Sequence, residues 1–391
     1  MHLQVFRDLI SPAGQEVLQA AESGAPSEAD FLAHFQRLCR KYPQDLARAA
    51  LEIAVLRREA AGKFPFSDRM YFTREALEQA SPQEVSEYRS QRYRPFRLLA
   101  DLGCSVGGDT LSLVAISPTL GIDRDPLRLA MARANLAALG LDRWVRLVQA
   151  DLIPSLPLGS IPDLAWFFDP ARRAGGVRMF SIRNYQPPLD QLPGWLRRIP
   201  AGGVKVSPGV RLDELQAFDA EVEFISLRGE LKEATLWFGP FKSAWRRATL
   251  LPGPHTLTAD AVQVPPSRVS EPRPVLYEPD PAIMRAGLVT SLAEQLNAYQ
   301  LDEDIAYLTA DSKQLTPFAR AWLIEAWFPF GLKRLRAYLR ERNVGRVVVK
   351  KRGSPLQPEA LIHDLRLGGD AERVIFLTHL RGRPIVVICY P

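Results

Sequence analysis

Four apolar runs in this chain end in, or run straight into, a carboxylate. They are Leu98-Leu99-Ala100-Asp101, Leu120-Gly121-Ile122-Asp123, Leu147-Val148-Gln149-Ala150-Asp151 and Trp166-Phe167-Phe168-Asp169. Taken singly, each acid suits a helix N-cap or a turn. The first is followed at once by Gly103-Cys104-Ser105-Val106-Gly107-Gly108, where glycines permit a tight turn and a close backbone approach to a ligand. A nicotinamide dinucleotide site needs Gly-x-Gly-x-x-Gly, so that a pyrophosphate can rest on a helix N-terminus. Here the spacing is Gly-x-x-x-Gly-Gly with an acid two residues ahead. An acid at that point disfavours a pyrophosphate and suits a cation such as an ammonium or a sulfonium. Asp123, about twenty residues further on, is placed to accept both hydroxyls of a ribose. A polar group at Asp151 could meet an adenine amine. The four acids in register with the glycine loop predict a pocket for a nucleoside that carries a positive charge.

Such a pocket needs parallel strands whose carboxyl ends share one edge. Between about 96 and 240 the runs FRLLADLG, TLGIDRD, VRLVQAD, LAWFFDP, GGVKVSP, EVEFISL and ATLWFG alternate with helical stretches. The first five are nearly continuous in apolar residues, as strands covered on both faces should be. The last two lie close together and predict an antiparallel hairpin at one edge. The expected fold is therefore α/β with a mostly parallel, doubly wound sheet.

Residues 1–95 read as helices, with apolar positions three and four apart. Ser81-Pro82-Gln83-Glu84 has the order of a helix start. Eight prolines between Pro252 and Pro281 predict a connector over 246–280 that holds neither a continuous helix nor a central strand. Beyond it, 281–391 reads as a further α/β region. Helices are expected at AIMRAGLVTSLAEQLNAY, TPFARAWLIEAW and GLKRLRAYLRER, and strands at GRVVVKKRG, ERVIFLTHL and RPIVVICY. The organisation expected is thus 1–95, 96–245, 246–280 and 281–391.

The chain has 391 residues, of which 47% are hydrophobic and 24% charged. That balance excludes a mainly disordered chain. No uncharged apolar run approaches the ~20 residues of a membrane-spanning helix, and the N-terminus does not read as a secretory signal. Cys39, Cys104 and Cys389 form neither a disulfide framework nor a zinc pattern, which makes a reducing cytoplasm the expected location. His2, His34, His255, His363 and His379 are scattered singly, so neither a metal site nor a catalytic triad is expected. The net charge of +6 is concentrated. Between Lys333 and Arg352 nine basic residues face one acid, Glu341. Such a stretch suits phosphate, or else is a solvated helix face followed by a lysine-guarded strand edge.

The strand ends and glycine loop of 97–240 resemble the class I S-adenosylmethionine-dependent methyltransferases, with their Rossmann-like core and seven-stranded sheet. The resemblance implies that Asp101, Gly103 and Gly107 line the methionine and sulfonium part of S-adenosylmethionine, that Asp123 holds the ribose and that Asp151 meets the adenine. It extends cofactor contact to Thr73, Cys104, Gly108, Arg124, Leu152 and Asp169, with the Cys104 thiol packing and not attacking. Val106-Gly107-Gly108-Asp109-Thr110 looks like the Gly-Gly-Asn-Thr stretch of the trimethylguanosine synthase family, which methylates guanine N2 in RNA caps. Tyr71-Phe72-Thr73-Arg74-Glu75 is similar to that family's segment closing over the cofactor. The layout is closer still to a bacterial group, assigned to RNA methylation by resemblance, with an N-terminal helical part and a C-terminal THUMP-like domain. The stretches Asp169-Pro170-Ala171-Arg172-Arg173, Tyr185-Gln186-Pro187-Pro188, Tyr277-Glu278-Pro279-Asp280 and Val349-Lys350-Lys351-Arg352 carry that likeness.

Enzymes that methylate an exocyclic amine carry an acid or amide, two prolines and an aromatic at the fourth strand. Asp169 and Pro170 match, whereas Ala171 and Arg172 depart. An arginine plane can also stack on a base or grip a phosphate. Asp169, Pro170, Arg172 and Arg173 are therefore the expected catalytic group. Arg172, Arg173, Arg178 and Arg183, with the stretch Lys333 to Arg352, are the expected contacts to RNA. Tyr185 to Pro188 is a candidate wall of the site, and Glu278 and Asp280 are candidates to approach it. The expected activity is methylation of an RNA base, with an exocyclic guanine amine foremost. A small anionic acceptor, or a cofactor-binding RNA module without transfer activity, are the alternatives. Protein partners are not legible.

Overall fold

The computed structural model describes residues 1–153, 155–171, 173–174, 177–178, 181–260 and 266–391, with the backbone alone at 173–174 and 177–178. It groups into two compact units, Met1–Glu221 with Lys232–Ser243, and Val222–Leu231 with Ala244–Pro391.

The first unit opens with helices α1 (Leu3–Leu9), α2 (Pro12–Glu22), α3 (Phe31–Leu38), α4 (Gln44–Ala60), α5 (Arg74–Gln79) and α6 (Gln83–Ser90). Helix α2 starts on Ser11, whose hydroxyl accepts the Gly14 N–H, with Pro12 in the first turn. Ser81-Pro82 works differently from expectation. Pro82 takes the N-cap position of α6, and the Ser81 hydroxyl donates to Glu233 at 2.6 Å. The apolar faces of α1, α2 and α4 join Val106, Leu111, Met131, Leu136 and Val145 in one buried cluster. That shared core joins the N-terminal helices to the strand-and-helix region that follows.

The sheet follows: β1 (Leu98–Leu102), α7 (Gly108–Val114), β2 (Thr119–Asp123), α8 (Pro126–Ala138), β3 (Val145–Gln149), β4 (Leu164–Phe168), the short pair β5 (Arg173–Ala174) and β6 (Val177–Arg178), α9 (Leu192–Arg198), β7 (Gly202–Val206), β8 (Glu221–Leu227) and β9 (Glu230–Phe238). Within the first unit the order is β9-β7-β4-β1-β2-β3. All neighbours are parallel except β9 on β7. The chain visits β2 and β3 on one side of β1 and then returns to β4 on the other, which creates the switch point where such sheets bind ligands. Strands β1 and β4 are buried almost throughout, as their apolar runs predict. Strand β3 is not, because it lies at the edge and exposes Arg146, Val148 and Gln149.

In the second unit β8 turns back through Arg228 and Gly229, both left-handed, toward β9. The strand β10 (Arg246–Leu251) pairs parallel with β8, and β11 (His255–Ala259) pairs antiparallel with β10. Two further strands, β10 and β11, thus follow the expected β8–β9 hairpin. The proline-rich stretch differs from expectation. It holds β10 and β12 (Val275–Pro279), each paired on both sides. Its prolines occupy the ends, with Pro252 just after β10, Pro279 closing β12 and Pro281 in the first turn of the next helix. A proline there removes no ladder hydrogen bond.

Helices α10 (Pro281–Ala286) and α11 (Val289–Gln295) replace one predicted helix, because Gly287 caps α10 in the left-handed region. The remaining elements are β13 (Tyr299–Asp302), β14 (Ile305–Ala310), β15 (Ala319–Pro329), α12 (Leu332–Glu341), β16 (Val344–Lys351), α13 (Pro358–Leu365), β17 (Ala371–Leu380) and β18 (Arg383–Cys389). They form a sheet of order β13-β14-β12-β15-β18-β17-β16. The expected helix at TPFARAWLIEAW is β15 instead. Its Ala, Leu and Glu favour a helix on local propensity, but ladders to β12 and β18 on both sides override that preference. Among the described residues no helix is long and apolar enough to cross a membrane.

Candidate active site

At the carboxyl ends of β1, β2, β3 and β4 lies a cleft of about 280 Å³. Its wall includes the loop residues Gly103, Cys104, Ser105, Val106 and Gly108 and the acids Asp109, Asp123, Asp151 and Asp169. Three of the four strand-end carboxylates therefore face one cavity. The fourth, Asp101, lies beneath the glycine loop and is 1% exposed.

The loop is shaped by left-handed backbone. Gly103 has φ +77 and Gly107 φ +87, and Ser105 adopts φ +51 between them. A Cβ at Gly103 would stand 3.1 Å from the Asp169 carbonyl oxygen, so glycine lets the first-strand loop and the fourth-strand end approach. Asp123 pins the loop from the side. Its two oxygens accept the N–H of Ser105 at 2.8 Å and of Asp125 at 2.9 Å. Asn135, buried on α8, clamps the loop from behind. Its amide nitrogen donates to the carbonyls of Tyr71 and Val106, and its oxygen accepts the Tyr71 N–H at 2.7 Å. Asn135 thereby ties the segment before α5 to the cofactor loop.

The electrostatics are those of a buried ionic cluster. Asp101 accepts a hydrogen bond from Thr110 at 2.5 Å through one oxygen, while its Oδ1 is buried without a partner among the described residues. Burial, then the neighbouring Asp109 carboxylate, and more weakly Asp169, push the Asp101 carboxyl up to about 8. Asp109 is held below the usual carboxylate range although burial opposes it, by Arg89 first, Lys205 next, and a hydrogen bond from Ser86. Arg89 is fully buried, bridges Asp109 and Glu233, and lies over the Phe167 ring at 4.1 Å. Asp169 accepts from Lys205 Nζ at 2.7 Å. Lys63 donates to the carbonyls of Leu77 and Ala80 at the end of α5, and burial, reinforced by Lys205, lowers its ammonium to about 8. Burial drives the Cys104 thiol up, which removes it as a nucleophile and fits its reading as packing.

The residues named from the sequence divide as follows. Gly103, Cys104, Gly108, Asp123, Arg124, Asp151, Leu152 and Asp169 line the cleft. Asp101 lies beneath the loop and off the cleft wall. Gly107 and Pro170 are not on its wall, and Gly107 instead starts α7. Thr73 is not on the wall either. Its hydroxyl caps α5 by accepting the Ala76 N–H at 3.1 Å, and α5 presents Ala76 and Gln79 to the cleft. Arg172 lies outside the described residues, and for Arg173 and Arg178 only the backbone is described. Arg183 is exposed. Gln186, Pro187 and Pro188 do form a wall, held by a two-way backbone bridge between Gln186 and Ala171.

In the second unit Glu278 pairs with Lys350 at 2.5 Å, and Asp280 caps α10. The basic stretch splits. Lys333, Arg334, Arg340 and Arg346 are exposed, whereas Lys350 and Arg352 lie against Glu278. Sequence reading missed Asn135, Arg89, Glu233 and Lys205. Only an isolated charge inside an apolar run, as Lys205 in Gly202-Gly203-Val204-Lys205-Val206, signals any of them.

The donor set fits S-adenosylmethionine. Among the described residues a buried carboxylate oxygen at Asp101 and a buried hydroxyl at Ser105 have no partner, which suits a ligand with cationic and polar groups, and the loop leaves room for close approach.

Comparison with known proteins agrees. Residues 319–391 match the THUMP domain-like family model, and residues 2–60 match a domain of unknown function (DUF8688). An uncharacterised S-adenosylmethionine-dependent methyltransferase of Mycobacterium tuberculosis (strain CDC 1551 / Oshkosh) is 34% identical over 347 residues, covering 86% of this chain and 94% of the relative. Its counterpart in strain H37Rv matches equally. A crystal structure of a presumptive methyltransferase from Porphyromonas gingivalis W83 superposes with a TM-score of 0.72 at 20% identity, over 93% of this chain and 99% of that one. At that identity the likeness speaks to the fold.

Proposed function

Because the chain belongs to the S-adenosylmethionine-dependent methyltransferases, we propose that it methylates a base in RNA, with the exocyclic amine of guanine as acceptor and Asp169 as the group that orients it. The observation that carries this reading is the placement of Asp169 in the same cleft as Asp123 and Asp151, with one oxygen held by Lys205. The match to the THUMP domain-like family and the exposed Lys333, Arg334, Arg340 and Arg346 support an RNA partner. Arg172, Arg173, Arg178 and Arg183 belong to the same reading as contacts to an anionic acceptor. So do a cytoplasmic location and the division into helical, methyltransferase, connector and THUMP-like parts.

S-adenosylmethionine supplies an electrophilic methyl group on a sulfonium. In this reading the Asp101 carboxylate opposes that positive charge from beneath the loop. The backbone of Gly103, Cys104 and Gly108 lines the methionine portion, with Gly107 shaping the turn. Asp123 accepts from the ribose hydroxyls, and Arg124, Asp151 and Leu152 border the adenine. Thr73 acts through α5, whose start it caps. Asp169 accepts a hydrogen bond from the acceptor amine and aims its lone pair, while Pro170 fixes the backbone that follows. Asp169 positions the amine, and the proton leaves to water after the N–C bond has formed. Catalysis of this kind is mostly orientation.

The test is transfer of tritiated methyl from S-adenosylmethionine to total RNA from cells lacking the gene, followed by digestion to nucleosides. Label in N2-methylguanosine with the wild type, and none with Asp169→Ala at undiminished cofactor binding, is expected. Label on another atom or in a small-molecule fraction, or bound cofactor with no transfer to any fraction, would replace the RNA-amine reading.

A further inference from the structure

The reading of Asp169 as the acceptor acid leaves one buried cation without a role. We infer that Lys205 is a positioning residue of the transfer reaction, locking Asp169 in its acceptor orientation and tying it to the α5 wall of the cleft. This inference rests on the Asp169 assignment.

The placement follows from strand register. Strands β4 and β7 are parallel, with Phe168 opposite Val204. The next residues along, Asp169 and Lys205, therefore fall side by side at the carboxyl end of the sheet. The Lys205 side chain is 2% exposed. Its Nζ donates to Asp169 Oδ2 at 2.7 Å and to the Gln79 carbonyl at 3.1 Å. Gln79 is the last residue of α5 and lines the cleft. One ammonium thus joins the acceptor acid to the segment that follows the loop clamped by Asn135.

Taking an ammonium out of water costs several kcal/mol, which a well-packed apolar side chain on β7 would avoid. What Lys205 supplies in return is charge. Asp169 acts on the buried Asp101 carboxyl, and Lys205 acts on Asp109 from α7, Glu233 from β9 and Lys63 after α4. Arg89 is committed to Asp109 and Glu233, and Lys63 to the carbonyls that end α5. Lys205 is the cation paired to Asp169 among the described residues. Without it, Asp169 would keep Asp101 as a neighbouring carboxyl and lose the donor that fixes its orientation.

The experiment compares wild type, Lys205→Met, Lys205→Arg and Asp169→Asn for methyl transfer to the same RNA at saturating cofactor. Binding of S-adenosylhomocysteine is measured by calorimetry on each. For Lys205→Met the rate falls on the order of a hundredfold, the scale of a misplaced reacting group. S-adenosylhomocysteine binding stays within about threefold, so the loss falls on the rate and not on binding. Lys205→Arg restores part of the rate, because the charge returns while the donors are displaced. A wild-type rate for Lys205→Met overturns the inference. So does a loss of binding equal to the loss of rate, which marks a purely structural lysine. Should Lys205→Met fail to fold, Lys205→Arg decides, and an unchanged rate there overturns the proposal. Asp169→Asn separates the two claims. If it transfers normally, the acceptor reading fails. If it is inactive while Lys205→Met is normal, only Lys205 loses its role.

Discussion

The buried carboxyl of Asp101 makes a measurable prediction about protons. Burial and the Asp109 carboxylate push it up to about 8. At pH 6.5 the cofactor-free protein therefore holds Asp101 mainly in its neutral form. A ligand carrying a sulfonium and an ammonium favours the carboxylate. Binding must then expel a proton from most sites. At that pH the ligand's own ammonium, an α-amino group of pKa about 8, is already charged and contributes little. Calorimetric titration with S-adenosylmethionine in two buffers of different ionisation enthalpy reads the proton count directly. The wild type should release a large part of one proton at pH 6.5, and Asp101→Asn none, with weaker binding. The same shift has a stability consequence. The unfolded carboxyl ionises near its model value of 3.8 while the folded one keeps its proton to about 8. The folded state thus binds more protons across that window, and stability falls as pH rises through it. Asp101→Asn should accordingly raise the Tm of the cofactor-free protein at pH 8 while damaging cofactor binding. If the wild type binds S-adenosylmethionine at pH 6.5 without releasing a proton, the cofactor charge is not balanced at Asp101 and this account of the loop is wrong.

Two further outcomes are expected. Asn135→Ala strands the Tyr71 N–H and the Tyr71 and Val106 carbonyls in the core. It should lower unfolding stability by about 2–4 kcal/mol, the scale of unsatisfied buried polar groups; a loss below about 0.5 kcal/mol in urea unfolding would deny the clamp. Neutralising the exposed Lys333, Arg340 and Arg346 together should reduce the salt dependence of RNA binding by about 2 in log–log slope, at roughly 0.7 per single-strand phosphate contact. An unchanged slope would return α12 to a solvated helix face.

Much of the site was legible along the chain because it depends on local order. A strand, a glycine turn and an acid at the strand end are neighbours in sequence, so Asp123, Asp151 and Asp169 could be named from type and spacing. Lys205, Asn135 and Arg89 could not. Lys205 meets Asp169 from 36 residues away, and Arg89 meets Glu233 across 144. Their partners are set by strand order and helix docking, which leave only faint marks on the local pattern. The same limit explains β15. Its residues prefer a helix locally, and only ladders to β12 and β18 make it a strand.

The sequence by itself determined the alternating strands and helices, the left-handed glycine loop and the row of carboxylates, because backbone sterics and apolar periodicity act over a few residues. Tertiary structure alone decided that Asp101 is buried beneath that loop while its three counterparts face the cleft. It also decided that Lys205, on a strand with no motif of its own, holds Asp169. Burial and charge pairing depend on which distant segments meet, and that is settled only when the core closes.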